Sequence, residues 1–225
     1  MERCYHMIKA IIFDCDGILI DAARWHEEAF NRALGEFNCD PLGHEEHLTT
    51  FNGLSTFRKL DMLASQGRIE SDKDLHSEFY DTKQLHTIEI IKEKCAPETR
   101  VIDSVIYAQS RGHTAVVSNC SRITVEMMLR QSKLEGRFDL IITNNDVDGR
   151  IKPDPWPYAK ACKLLGVLPQ ETLAIDDNLK GVKSATDAGC NVWHMKHFKD
   201  LTVMNIMTKI YGGFYGKKRM AGNVY

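Results

Sequence analysis

The sequence predicts an α/β fold: a parallel sheet with helices on both faces and a helical insertion after the first strand. Three observations carry this. Short apolar runs of strand length recur along the chain, amphipathic segments of helix length lie between the later ones, and residues 21–87 hold helical periodicity with little that looks like a strand. At 225 residues the chain suits one domain or a core with a modest insertion, which excludes a large multi-domain machine.

Taken in order, residues 8–13 form the first apolar run, long enough for a buried strand. The insertion follows. Trp25, Ala29 and Ala33, and with them Phe30, Leu34 and Phe37, fall at helical spacing among many charges. Its ends are placed at the turn near Gly17 and in the stretch 83–97, which assigns residues 1–20 and 88–225 to the core and 21–87 to the insertion. Residues 114–117, 140–143, 172–175 and 191–193 supply the remaining strands. Tyr158, Ala161, Cys162 and Leu165 make a helix face that stops at Gly166; Val182, Ala185 and Ala188 make another that stops at Gly189. The tail 212–225, with Lys217, Lys218 and Arg219 together, reads as a frayed terminus.

Composition narrows the function. With 43% hydrophobic and 27% charged residues the chain is neither disordered nor fibrous. Lys+Arg 29 against Asp+Glu 31 leaves a net charge of −2, so no global field would hold a polyanion, and nucleic acid is not an expected partner. Seven scattered cysteines without a C-x-x-C pair argue against a disulfide framework or a zinc ribbon and for reduced thiols. No signal-peptide h-region and no run of 18 apolar residues is present, so the expectation is a cytoplasmic protein with no membrane partner.

In parallel sheets ligands bind at the carboxyl ends of the strands, so the residues following each run matter most. The first run ends in Asp14-Cys15-Asp16-Gly17, two carboxylates one residue apart before a sharp turn. Like charges this close need a cation or a proton. The second run ends in Ser118-Asn119, a hydroxyl and an amide able to bind an oxyanion; Lys152 stands on a stiff K-P-x-P loop; the fourth run ends in Asp176-Asp177-Asn178. Hard oxygen ligands, a carboxylate placed to attack, a cation and polar donors are the equipment of phosphoryl transfer.

Asp14, Asp16, Gly17, Leu19 and Asp21, with Ser118, Lys152 and Asp176-Asp177, resemble the motifs of the haloacid dehalogenase-like superfamily, in its phosphatase and β-phosphoglucomutase-like branch. The resemblance spans residues 8 to about 197. It implies a three-layer Rossmann-like core with an inserted α-helical cap domain, and a Mg²⁺-dependent phosphatase acting on a small phosphorylated metabolite, a sugar phosphate by class. In that scheme Asp14 is the nucleophile that forms an aspartyl-phosphate and Asp16 the general acid and base. Mg²⁺ is held by Asp14, the main-chain carbonyl of Asp16, and Asp177 with Asp176 beside it. Ser118 and Asn119 bind phosphoryl oxygens, and Lys152 neutralises charge and orients Asp14. Asp16 points to phosphate esters, since dehalogenases generally lack this carboxylate and phosphonate hydrolases carry a small residue there.

Two departures stand out. Asp176-Asp177-Asn178 replaces the usual Glu-Asp-Ser or Gly-Asp-Ser, which leaves open which aspartate meets the metal, with Asp177 chosen here. Gly53-Leu54-Ser55-Thr56 resembles the branch's substrate loop, but Thr56 stands where the mutases carry an arginine. His26, Thr56 and Lys83 are the insertion's candidate substrate contacts, with a half-buried surface histidine as the ordinary alternative for His26; Arg58 or Lys59 could supply the cation missing at Thr56, with a solvated helix face as the ordinary alternative for either. His194 and His197 read as surface histidines rather than a metal pair, and Trp156 as aromatic core. The competing readings are a sugar-phosphate mutase using the same Asp14 chemistry and an inactive relative used for binding. Monomer and dimer both stay open.

Overall fold

The computed structural model describes residues 7–51 and 54–218; Cys4, Gly53 and Arg219 lie outside them. The chain divides into two compact units, Met1–Asp21 with Ala96–Tyr225, and Ala22–Cys95.

The larger unit is built on five parallel strands: β1 (Ala10–Phe13), β2 (His113–Val117), β3 (Leu140–Ile142), β4 (Thr172–Asp176) and β5 (Asn191–His194). Their order is β3-β2-β1-β4-β5. β1 is the central strand and is buried at every residue, as expected of a parallel strand covered on both faces. Its register sets Phe13 beside Val116 on one side and Ile175 on the other. The chain lays β2 and β3 on one side of β1, then crosses to the other for β4 and β5. The direction of winding reverses at β1, and the sheet opens a crevice at its carboxyl end there.

In the smaller unit, α1 (Ala23–Glu36) is followed by the short α2 (His44–Glu46), a π-helical turn over His47–Phe51, α3 (Thr56–Ser65) and α4 (Lys73–Lys94). α1 and α4 pack along each other around Phe30, Ala33, Leu34, Leu60, Leu63 and Phe79. The Phe30 and Phe79 rings lie 5.1 Å apart. Ser55 caps α3 by accepting from the Arg58 N–H, and Asp72 caps α4 by accepting from Asp74 and Leu75. The expected return to the core at residue 87 falls inside α4. That helix runs on to Lys94 because Ile90 and Ile91 extend its buried stripe past Thr87, so the units divide at Cys95 and Lys83 sits in mid-helix.

The helices of the larger unit are α5 (Thr99–Gln109), α6 (Arg122–Gln131), α7 (Trp156–Leu165), α8 (Leu179–Asp187) and α9 (Val203–Lys218). Ile12, Ala115, Val117, Ile142 and Ala174, alternate residues of their strands, meet Tyr158, Ala161 and Cys162 of α7 and Ala185 of α8. Trp156 packs against this cluster. α7 ends at Gly166 in the left-handed conformation, φ 68°. The tail expected from residue 212 is corrected as far as Lys218, where α9 ends after packing on α5; residues 219–225 lie outside the described residues.

The six described cysteines are free thiols. Among the described residues no helix is long and apolar enough to cross a membrane.

Candidate active site

The site forms where β1, β2 and β4 end. Asp14 extends β1 by one residue, its N–H donating to Ile175 O at 2.9 Å, which aims its carboxylate into the crevice with 8% of the residue exposed. The chain then folds back sharply: Gly17 donates to Ile20 O at 2.7 Å, and Leu19 and Ile20 both donate to Cys15 O. Gly17 adopts φ 79°, and a Cβ there would lie 2.3 Å from Asp177 Oδ2. A second close approach occurs at Gly181, where a Cβ would fall 1.8 Å from Asp176 Oδ2.

Lys152 joins the strand ends. Its ammonium donates to Asp14 Oδ1 at 2.6 Å and to Asp176 Oδ2 at 2.7 Å, with 5% of the residue exposed. Asp176 also accepts from Tyr158 Oη at 2.7 Å and, through Oδ1, from Asn178 N at 3.0 Å. Burial alone would lower the Lys152 pKa, but Asp14 and Asp176 outweigh it and hold it well above its ordinary value. Burial pushes the Asp14 carboxyl well up, against the pull of Lys152.

Ser118 donates its N–H to Ile142 O and is buried; its hydroxyl accepts from Cys120 N at 3.1 Å. The Asn119 side chain differs from expectation. Its Nδ2 donates to Lys152 O at 3.1 Å while its Oδ1 accepts from Lys152 N at 3.0 Å, so the carboxamide holds the main chain of Lys152 in place. Cys120 Sγ donates to Asp16 Oδ2 at 2.9 Å.

Carboxylate oxygens of Asp14, Asp176 and Asp177 lie within 4.8 Å of one another. Asp177 is exposed as a residue, yet its carboxylate packs against Gly17; this burial, then Asp176, raises its pKa to about 6. Both Asp176 oxygens already accept hydrogen bonds from the protein. Asp14, Asp16, Asp176 and Asp177 together carry more negative charge than Lys152 offsets, and every donor is a hard oxygen. These residues fit a divalent cation.

The structure gathers Asp14, Lys152, Asp176 and Asp177 at the strand ends, with Asp16 and Ser118 both meeting Cys120 beside them. Among the residues of the helical unit, Lys83 is buried with Nζ 3.3 Å from His26 Nδ1, and Thr56 opens α3. His194 Nε2 lies 3.0 Å from Asp177 O, and His197 is exposed. Three side chains do more than the sequence pattern signals. Tyr158 falls on an apolar stripe, although a buried phenol needs a partner for its hydroxyl. Cys120 belongs to no motif, yet it meets Asp16. Lys59 has the character of a solvated helix residue, yet it is buried on the stripe of Leu60 and Leu63.

The sequence family of haloacid dehalogenase-like hydrolases matches residues 11–195. The chain is 32% identical over 186 residues to pyrophosphatase PpaX of Bacillus mycoides (strain KBAB4), covering 81% of this chain and 80% of that one. It is 30% identical over 189 residues to phosphoglycolate phosphatase of Thiobacillus denitrificans (strain ATCC 25259 / T1), covering 83% and 82%. CbbY from Rhodobacter sphaeroides, solved in complex with phosphate, shares the fold at a TM-score of 0.75 and 23% identity over 85% of this chain and 89% of that one. The family match covers the stretch of chain that builds the crevice, and the protein belongs to the haloacid dehalogenase-like hydrolases.

Proposed function

We propose that this enzyme is a Mg²⁺-dependent phosphatase that hydrolyses the phosphate monoester of a small metabolite, of the sugar-phosphate class that the sequence resemblance implies, through an aspartyl-phosphate. The observation that carries the proposal is Lys152 clamped between Asp14 and Asp176, with Asp16 two residues beyond Asp14. The names of the relatives, a pyrophosphatase and a phosphoglycolate phosphatase, support phosphoryl hydrolysis.

Asp14 attacks phosphorus with the oxygen that Lys152 does not hold. The bond to the leaving oxygen breaks, and Asp16 gives that oxygen its proton. Asp16, now a carboxylate, takes a proton from water, whose oxygen attacks the phosphoryl group and frees Asp14 and inorganic phosphate. Ser118 and the ammonium of Lys152 face the phosphoryl oxygens, while Asn119 keeps Lys152 in place. Asp14, the Asp16 carbonyl and Asp177 would hold Mg²⁺, which neutralises charge on the transferring group when bound. Asp176 acts beside them by fixing Lys152. His26, Thr56 and Lys83 contact the rest of the substrate.

The test is phosphate release from a panel of sugar, nucleotide and polyol phosphates, phosphoglycolate and pyrophosphate, with and without Mg²⁺. Release should require the metal and fall by at least about 10³-fold in Asp14→Asn. No release from any ester would end the phosphatase reading, and phosphorus NMR showing an isomerised sugar phosphate would assign the mutase activity instead.

A further inference from the structure

Cys162 of α7 and Cys190, the residue before β5, stand 28 positions apart in the chain and meet in the fold, Sγ to Sγ at 3.8 Å. That separation leaves no room for an atom between the two sulfurs. A disulfide bond is about 2.05 Å long, so the sulfurs need close by only about 1.8 Å, less than a change of side-chain rotamer moves a sulfur. Cys162 is buried and Cys190 half-buried, and both pack on the cluster of Ile12, Ala115 and Ala174. Thr172 Oγ1 lies 3.5 Å from Cys162 Sγ. Cys15 and Cys120 have other neighbours, Met128 Sδ at 3.8 Å and Asp16 Oδ2 at 2.9 Å. A hydrogen bond between the paired thiols, against the effect of burial, lowers the Cys162 pKa from 9.0 to about 7; the same bond, and burial, raise that of Cys190. Apolar packing is served by any small side chain, whereas two thiols in contact, one of them a ready thiolate near neutral pH, add reactivity.

We propose that Cys162 and Cys190 form a reversible disulfide when the protein meets hydrogen peroxide, closing the stretch of chain that carries β4, Asp176, Asp177 and α8 into a covalent loop. The thiolate attacks one peroxide oxygen, the O–O bond breaks, and the departing hydroxide takes up the proton that the thiol gave away and leaves as water. The second sulfur then attacks the sulfenic acid. Its S–O bond breaks, the oxygen leaves as a second water with the remaining thiol proton, and the S–S bond forms. Two electrons pass from the sulfurs to the peroxide. The bridge stabilises the fold by restricting the unfolded chain, and it does not depend on the phosphatase reading.

The experiment treats the reduced wild type with hydrogen peroxide, blocks the remaining thiols with iodoacetamide and digests with trypsin. Residues 161–163 should emerge joined to residues 184–196, lighter by two hydrogen atoms than the free peptides together, and dithiothreitol should separate them. The bridged protein should melt at least about 4 °C above the reduced protein. Cys162→Ser and Cys190→Ser, treated in the same way, should show neither the joined peptides nor the rise in melting temperature. Circular dichroism establishes that each variant is folded, and should one not fold, the other variant and the wild-type peptide map decide. Absence of the joined peptides from the wild type, the two sulfurs recovered as separate sulfinic acids, or a bridged protein that melts no higher than the reduced one would overturn the proposal.

Discussion

Asp176 accepts from Lys152, from Tyr158 and from Asn178, and Gly181 is what gives it room. A methyl group at position 181 would collide with its carboxylate, so Gly181→Ala should move Asp176, and with it Lys152, by a substantial fraction of an ångström. Misplacement on that scale lowers kcat by about 10²-fold, which steady-state kinetics on any accepted ester would detect. Lys59 allows a prediction about pH. Burial, then the charge of Lys83, lowers its pKa from 10.5 to about 8, with Glu27 acting in the opposite direction. The unfolded chain therefore holds this proton more tightly than the folded one. Stability should be penalised in full below pH 8 and should recover as pH rises from about 8 to 10.5, by an amount on the order of 3 kcal/mol. Urea unfolding of wild type and Lys59→Met in parallel isolates the effect: the variant should be the more stable at pH 7, and its advantage should vanish above about pH 10.5. The acidic residues were legible because they follow apolar runs directly. Lys59 was not, because the sequence shows a charge and not the packing of Phe30 around it.

The element that explains a departure from the family pattern is α8. Asn178 stands where the resemblance expects serine, and its Oδ1 accepts from Lys180 N at 2.9 Å, capping the helix. Serine and asparagine do this about equally well. Asn178→Ser should therefore leave the urea midpoint nearly unchanged, whereas Asn178→Ala should cost about 1 kcal/mol. The strands were legible to within a residue or two at each end, since continuous apolar runs are what a parallel sheet covered on both faces requires. The ends of α4 and α9 were not. The last turn of α4 follows Ile90 and Ile91, whose packing in three dimensions sets how far that helix runs.

For the molecule as a whole, the excess of carboxylates in the larger unit makes a prediction about metal. A divalent ion that binds only the folded state stabilises it by roughly 2.7 kcal/mol at a hundred times its Kd. Mg²⁺ added to protein stripped with EDTA should raise the melting temperature, and Asp177→Asn should remove most of that rise. Equal melting curves with and without the ion would remove Mg²⁺ from the proposal.

The sequence by itself determined the α/β class, the helical insertion and the family, because each is written in local order: apolar runs, helical spacing, and short motifs at the ends of runs. It also placed Asp14, Asp16, Ser118, Lys152, Asp176 and Asp177 in one crevice, since a parallel sheet brings every strand's carboxyl end to the same edge. The tertiary structure alone decided which partner each of these takes. Lys152 choosing Asp14 and Asp176, Asn119 turning to the main chain of Lys152, Tyr158 reaching Asp176 and Lys59 sinking beside Phe30 all join residues far apart along the chain. Such contacts depend on distances of a few tenths of an ångström between side chains, and neither residue spacing nor periodicity encodes them.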